Sequence, residues 1–160
     1  MEAFQGAKKS IYIETPYFIP GHRLVRVLRL AKRRGVDVQI IVPEKLDVPI
    51  VATATQSTFE KILRSGVRIF KYQPTFMHAK TAVVDGEWTT FGSFNMDNKS
   101  FIYNHEANVI TTNSKCVGEI TKHFIDDLRE CKEITYNEWK RRGIVARIRE
   151  FFIGPIRGFL

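Results

Sequence analysis

Arg34-Gly35-Val36-Asp37-Val38-Gln39-Ile40-Ile41-Val42-Pro43 couples a helix stop to a buried strand. Basic side chains suit the carbonyl end of a helix and glycine adopts the left-handed conformation that ends one, so Arg34-Gly35 closes an amphipathic run in which Leu24, Val27, Leu28 and Ala31 share a face. The nearly continuous apolar run from Val36 to Val42 suits a strand covered on both sides, and Pro43, which has no N–H to donate, stops it. Upstream, Ser10-Ile-Tyr-Ile-Glu14 alternates as a short strand until Pro16 to Gly21 breaks it. Downstream, a helix from about Val51 to Ser65 closes at Gly66, and Val67-Arg-Ile-Phe70 is a third strand. Strand, helix, strand, helix, strand with short connections predicts parallel pairing in an α/β sandwich.

Beyond Pro74 the texture changes. Met77 to Val84 and Glu87 to Phe91 read as strands joined by Asp85-Gly86, a dipeptide suited to the left-handed conformations of a two-residue hairpin. Glu106 to Thr111 reads as a further strand. A helix over Lys115 to Leu128 carries Val117, Ile120, Phe124 and Leu128 on the face that would close against the sheet. The expectation is a mixed, mostly parallel sheet flanked by helices over residues 1–136, followed by a basic amphipathic tail over 137–160.

The 160 residues suffice for one domain with a core burying roughly 70% of its unfolded surface. At 44% hydrophobic and 26% charged, the composition excludes disordered and collagen-like classes. The longest apolar stretch, near Val48 to Ala52, falls far short of the roughly 20 residues of a spanning helix, and the first nine residues carry no signal-peptide core. Cys116 and Cys131 form no CxxC pair and are expected to be reduced thiols of a cytosolic domain.

A net charge of +8 favours anionic partners: phospholipid headgroups, nucleic acid or phosphorylated substrates. Lys140, Arg141, Arg142, Arg147, Arg149 and Arg157, against Glu150 alone, put +5 of it in the last 21 residues. If 144–153 is helical, Ile144, Val145, Ile148, Phe151 and Phe152 share a face, which fits an interfacial membrane element. A terminal helix docked on its own domain or a partner fits equally.

The chemistry is concentrated in His78-Ala-Lys80, Asp85 and Gly92-Ser-Phe-Asn95. On a strand, His78 and Lys80 would project from one face. An imidazole titrates near neutrality and can act as nucleophile or proton donor, and an ammonium stabilises charge on a phosphoryl group. Gly92, Ser93 and Asn95, returned by the hairpin, offer backbone and side-chain donors to phosphate oxygens. Asp85 is explained by the hairpin itself. No spacing of Cys, His or carboxylates matches a Zn, Mg or Ca site, so an anion pocket without metal or cofactor is expected.

The pattern H-x-K-x4-D-x6-G-S-x-N resembles the signature of the phospholipase D superfamily. Tyr12-Ile-Glu-Thr-Pro-Tyr-Phe-Ile-Pro20, 34–43, Gly66-Val-Arg-Ile-Phe70, Asn95-Met-Asp-Asn-Lys-Ser-Phe101, Asn104-His-Glu106 and Glu138-Trp-Lys-Arg-Arg142 resemble the C-terminal half of bacterial cardiolipin synthases. That resemblance implies a phospholipase D-like sandwich and phosphatidyl transfer between phosphatidylglycerol molecules through a phosphohistidine. It implies that His78, in a second motif, is the general acid and base, that Lys80, Ser93 and Asn95 hold phosphate, and that Glu106 hydrogen-bonds the other ring nitrogen of the histidine and fixes its tautomer. Asp97 and Asn98 are candidates for shaping the loop. Lys99 stands where cardiolipin synthases commonly carry Arg, a departure that replaces a bidentate donor.

Of His22, His78, His105 and His123, only His78 is followed two residues later by Lys. Double displacement needs a second imidazole, supplied either by the N-terminal half of a longer enzyme or by a homodimer mate. The phospholipid substrate and an anionic membrane surface are the expected partners, at the cytoplasmic side of a bacterial cell membrane. A homodimeric phosphodiesterase or nuclease acting on nucleic acid, and an inactive phosphate- or lipid-binding module, are the alternatives. His22 reads as a cap or surface residue, His105 as packing, His123 as solvent-facing, and Tyr17, Phe18 and Phe76 as loop anchors or a lipid-accessible rim.

Overall fold

The computed structural model describes residues 1–97, 100, 103–144, 148, 149 and 153. Asn98, Lys99 and most of the helix expected over 144–153 lie outside the described residues.

Three strands, β1 (Ser10–Glu14), β3 (Asp37–Pro43) and β4 (Arg68–Tyr72), pair in parallel at the centre of a seven-stranded sheet. They are linked by α2 (His22–Arg33) and α3 (Pro49–Leu63). Antiparallel strands extend the sheet on both sides: β5 (Thr81–Val84), β6 (Trp88–Gly92) and β8 (Asn108–Thr111) beyond β1, and β9 (Cys131–Ile134) beyond β4. The sandwich and the mixed sheet are as the sequence implies, with parallel pairing confined to the three central strands. A two-stranded parallel ladder joins β2 (Phe18–Ile19) to β7 (Met96–Asp97). Three elements carry no long periodic pattern and are additions to the sequence reading: β9, α1 (Glu2–Gly6) and α5 (Tyr136–Lys140).

Alternation along the central strands feeds two cores. Ile11 and Ile13 of β1 and Val38, Ile40 and Val42 of β3 face α1, α2 and α3, where Leu28, Ala31, Phe59 and Ile62 are buried. Tyr12, Ile41 and Phe70 face the other way, toward Phe124 of α4 (Ser114–Arg129). Tyr12 stacks on Phe124 with centroids 4.7 Å apart and planes 4° apart. Each fully buried Ile, Leu or Phe contributes roughly 1.5–3 kcal/mol, which makes these two faces the main source of stability. Trp139 of α5 is buried against Phe59 of α3, and Thr135 and Glu138 form a capping box that starts its helix.

The β5–β6 hairpin turns through Asp85 (φ 56°) and Gly86 (φ 69°), both left-handed, and Glu87 donates its N–H to the Val84 carbonyl at 3.0 Å. Val84 pairs with Trp88, so the connection has three residues and β6 starts one residue later than the sequence suggests. The Asp85 carboxylate does more than fit the turn. It accepts backbone N–H bonds from Lys8 (2.9 Å), Lys9 (2.7 Å) and Ser10 (2.9 Å), tying the hairpin to the start of β1.

Candidate active site

The strand directions bring four segments to one end of the sheet. Thr81 at the start of β5 pairs with Glu14 at the end of β1, Phe91 of β6 pairs with Thr81, and Asn108 at the start of β8 pairs with Gly92. The loops carrying His78, Lys80, Ser93, Asn95 and Glu106 therefore all open at the carboxyl ends of the parallel strands, where open α/β sheets place their ligands.

β5 begins at Thr81, so His78 and Lys80 lie in the segment leading into it rather than on a strand. The ladder starts only where β1 offers a partner, and Glu14 is the last residue that does. Strand alternation therefore does not align the two side chains: the Lys80 ammonium donates to the His78 carbonyl at 3.1 Å. The His78 ring is exposed, lies against Phe76 (centroids 5.4 Å, 28°) and meets the edge of Tyr17 at 6.3 Å. Tyr17 is itself fixed, donating its hydroxyl to Asp47 at 2.8 Å. Burial and this carboxylate push its phenol up to about 12, so it stays a neutral donor. Of the three aromatics that the sequence leaves as loop anchors or a lipid-accessible rim, Phe18 is a buried anchor, and Tyr17 and Phe76 set their rings beside the imidazole.

The two halves of the motif meet through the backbone. Gly92 N–H donates to the Lys80 carbonyl at 3.2 Å, and Ser93 N–H to the Ala107 carbonyl at 3.0 Å. A Cβ on Gly92 would lie 2.2 Å from the Ala107 carbonyl oxygen and 2.7 Å from Asn108 Cα, so only glycine lets β6 end this close to the segment entering β8. Ser93 Oγ donates to Glu106 Oε2 and accepts from Ala107 N–H at 2.9 Å. Asn104 donates to Glu106 Oε1 at 3.3 Å. The hydroxyl of Ser93 holds Glu106 below the usual carboxylate range, overcoming partial burial and aided by Ser100, Asn104 and the Lys80 charge. Conversely, burial draws the Lys80 ammonium below its ordinary value, against the attraction of Glu106 and Asp97. No hydrogen bond joins Glu106 to His78.

Asn95 is anchored by its N–H to Ser100 Oγ at 3.4 Å, and its Oδ1 is buried with no hydrogen-bond partner among the described residues. Asp97, buried in β7, accepts from Ser100 N–H at 2.7 Å. Thr15 Oγ1 links the loop to β1, accepting from Met96 N–H at 3.4 Å and donating to the Tyr17 carbonyl at 3.0 Å. The β2–β7 ladder and Thr15 are the supports that sequence reasoning missed, since two-residue strands leave no periodic trace.

His22, His105 and His123 are exposed. Among the described residues no three His, Cys, Asp or Glu side chains gather as metal ligands, and no helix is long and apolar enough to cross a membrane. Cys116 and Cys131 are free thiols, and Cys131, pushed up to about 12 chiefly by burial, donates to the Asp127 carbonyl. The arrangement offers an exposed imidazole, an ammonium, a hydroxyl and an amide beside a carboxylate, a set suited to holding a phosphodiester and moving a proton.

Comparison with known proteins follows the same line. Cardiolipin synthase 1 of Bacillus cereus is 42% identical over 154 residues, which cover 96% of this chain and 30% of that protein. The chain spans about a third of the length of the curated relatives it matches. Nuc, a phospholipase D family member from Salmonella typhimurium, is 26% identical with a TM-score of 0.72, covering 84% of this chain and 87% of that one. Phosphatidylserine synthase from Haemophilus influenzae shares the fold, with a TM-score of 0.78 over 99% of this chain and 43% of that one at 18% identity. The family described as cardiolipin synthase, PLD-like domain, matches residues 1–128, and with that the chain belongs to it.

Proposed function

We propose that this chain is one catalytic half of a phosphatidyltransferase that joins two phosphatidylglycerol molecules into cardiolipin and glycerol. The observation that carries the reading is the closure of the motif: Gly92 bonded to Lys80, and Ser93 bonded to a Glu106 whose charge reaches that same lysine. The match of nearly the whole chain to cardiolipin synthases supports the substrate class.

In this reading an imidazole from a second H-x-K pair attacks phosphorus and the bond to the headgroup glycerol breaks. His78 gives its proton to the departing glycerol oxygen. His78 then takes the proton of an incoming phosphatidylglycerol hydroxyl, whose oxygen displaces the imidazole and restores the phosphodiester. Lys80 and the Asn95 amide hold the non-bridging oxygens while charge builds on them, joined by the Ser93 hydroxyl when it turns from Glu106 to the phosphate. Within this chain Glu106 accepts from Ser93 and Asn104 and not from His78, and the remaining lone pairs of the carboxylate can accept from an imidazole brought by the second motif and orient it. The site works at an anionic membrane surface, with the basic residues that follow α5 as part of the attachment.

The test is a mass-spectrometric assay on phosphatidylglycerol vesicles, with this chain alone and with the portion of the Bacillus cereus relative outside the matched residues. Cardiolipin in the mixture supports the reading, and its absence from every combination contradicts it. A second reading, in which a copy of this chain supplies the second imidazole, is favoured by the match to 87% of the length of Nuc. It requires a dimer and product from this chain alone.

A further inference from the structure

Charge counted along the chain directs attention to the C-terminus, but the fold assembles a second basic feature. α2 carries Arg23, Arg26, Arg29, Lys32 and Arg33 with no acidic residue. Its apolar residues Leu24, Val25, Val27, Leu28 and Ala31 are buried. His22, Arg26, Arg29 and Arg33 are spaced by four, three and four residues, so they fall in one stripe on the outer face, about 16 Å long.

Along this stripe runs an open groove of about 370 Å³, bordered by Arg26, Arg29 and Arg33, by Lys61 of α3 and by Leu30 and Val25. Among the described residues no ion pair engages these four cations; the neighbouring Glu60 carboxylate faces Arg142 at 3.7 Å instead. Like charges three and four apart on a helix repel. An anion laid along the stripe removes that repulsion.

We propose that this face of α2 docks on the phosphates of an anionic phospholipid bilayer. Leu30, 42% exposed among the arginines, gives the face an apolar contact for the headgroup layer, and among the described residues no Phe, Tyr or Trp lines the groove to stack on bases. Position supports the same occupant. α2 begins three residues after β2, which pairs with β7 beside Asn95, so the stripe starts at the end of the sheet that holds the candidate active site. A bilayer lying along it is brought toward that site. The choice of phospholipid rests on the transferase reading, while the charge and geometry of the stripe do not.

The test is co-sedimentation of the full chain with vesicles of equimolar phosphatidylglycerol and phosphatidylcholine. The variant is Arg26→Gln/Arg29→Gln/Arg33→Gln. The control, Lys115→Gln/Lys122→Gln/Lys132→Gln, removes equal charge from α4, on the opposite face of the sheet, and β9. The stripe variant is expected to lose about a hundredfold in vesicle affinity, from roughly fivefold per arginine, with little loss in the control. Unchanged affinity, or equal loss in both variants, overturns the proposal. A larger loss for duplex DNA than for vesicles overturns it in favour of nucleic acid. Unchanged vesicle binding with cardiolipin still formed removes the docking face and leaves the transferase reading. Lost vesicle binding by the stripe variant, where the parent chain forms no cardiolipin either alone or with the complementary portion, supports the face without that reading.

Discussion

The Ser93 hydroxyl donates to the Glu106 carboxylate across 13 residues of chain, and the same oxygen accepts the N–H of Ala107. Ser93→Ala removes both bonds and leaves Glu106 without its main stabilising donor. The account predicts that the Glu106 carboxyl titrates higher in this variant, and that cardiolipin formation by the assembled enzyme falls by about a hundredfold. The chemical shift of the Glu106 side-chain carboxyl carbon across pH reads the first, and lipid mass spectrometry the second.

Gly92 leaves no room for a side chain, because its Cβ would meet the Ala107 carbonyl oxygen at 2.2 Å. Gly92→Ala must push β6 from the segment entering β8 and is expected to cost about 3 kcal/mol, read as a lower urea midpoint at unchanged slope.

Asp85 is similarly structural. Partial burial pulls its carboxyl upward, but the N–H bonds from Ser10, Lys9 and Lys8 outweigh it and hold the group below its ordinary value. Stability from this carboxylate is therefore complete above the unfolded value near 4 and is lost as pH falls through the lower folded value. Asp85→Ala is predicted to cost about 2–3 kcal/mol at pH 7, with the gap to the parent closing in acid, as followed by urea unfolding.

Glu14 carries the opposite sign. Burial pushes its carboxyl up to about 7 against the lowering bond from Thr81, with Asp127 adding to the rise. Between about 4.5 and 7 the unfolded chain releases a proton that the folded chain keeps, so stability falls as pH rises through that window and levels off above it. Glu14→Gln removes this dependence. The variant should gain about 2–3 kcal/mol on the parent between pH 5 and pH 8 in urea unfolding.

Much of this molecule was legible because its central strands are covered on both sides. The runs 10–14, 36–42 and 67–70 and the helix face of Leu24, Val27, Leu28 and Ala31 announce burial through periodicity, and Asp85-Gly86 announces its turn. The elements that were not legible are held by contacts instead. β9 is a half-exposed edge strand fastened by the Arg68–Glu133 ion pair at 2.8 Å, and the β2–β7 ladder needs residues 78 positions apart. The site residues were named by motif spacing, yet their geometry depended on where β5 begins, which is set by β1. The arginine stripe of α2 was invisible to a count along the chain, because its charges are gathered by helix pitch and by Lys61 from another element.

The central claim concerns the proton carried by His78, and it is tested most directly by the rate of cardiolipin formation from phosphatidylglycerol in the assembled two-motif enzyme, with and without His78→Asn. The account predicts loss of at least about a thousandfold in the variant, with its melting temperature unchanged because the ring is exposed. Cardiolipin formed by His78→Asn at the parent rate would contradict it.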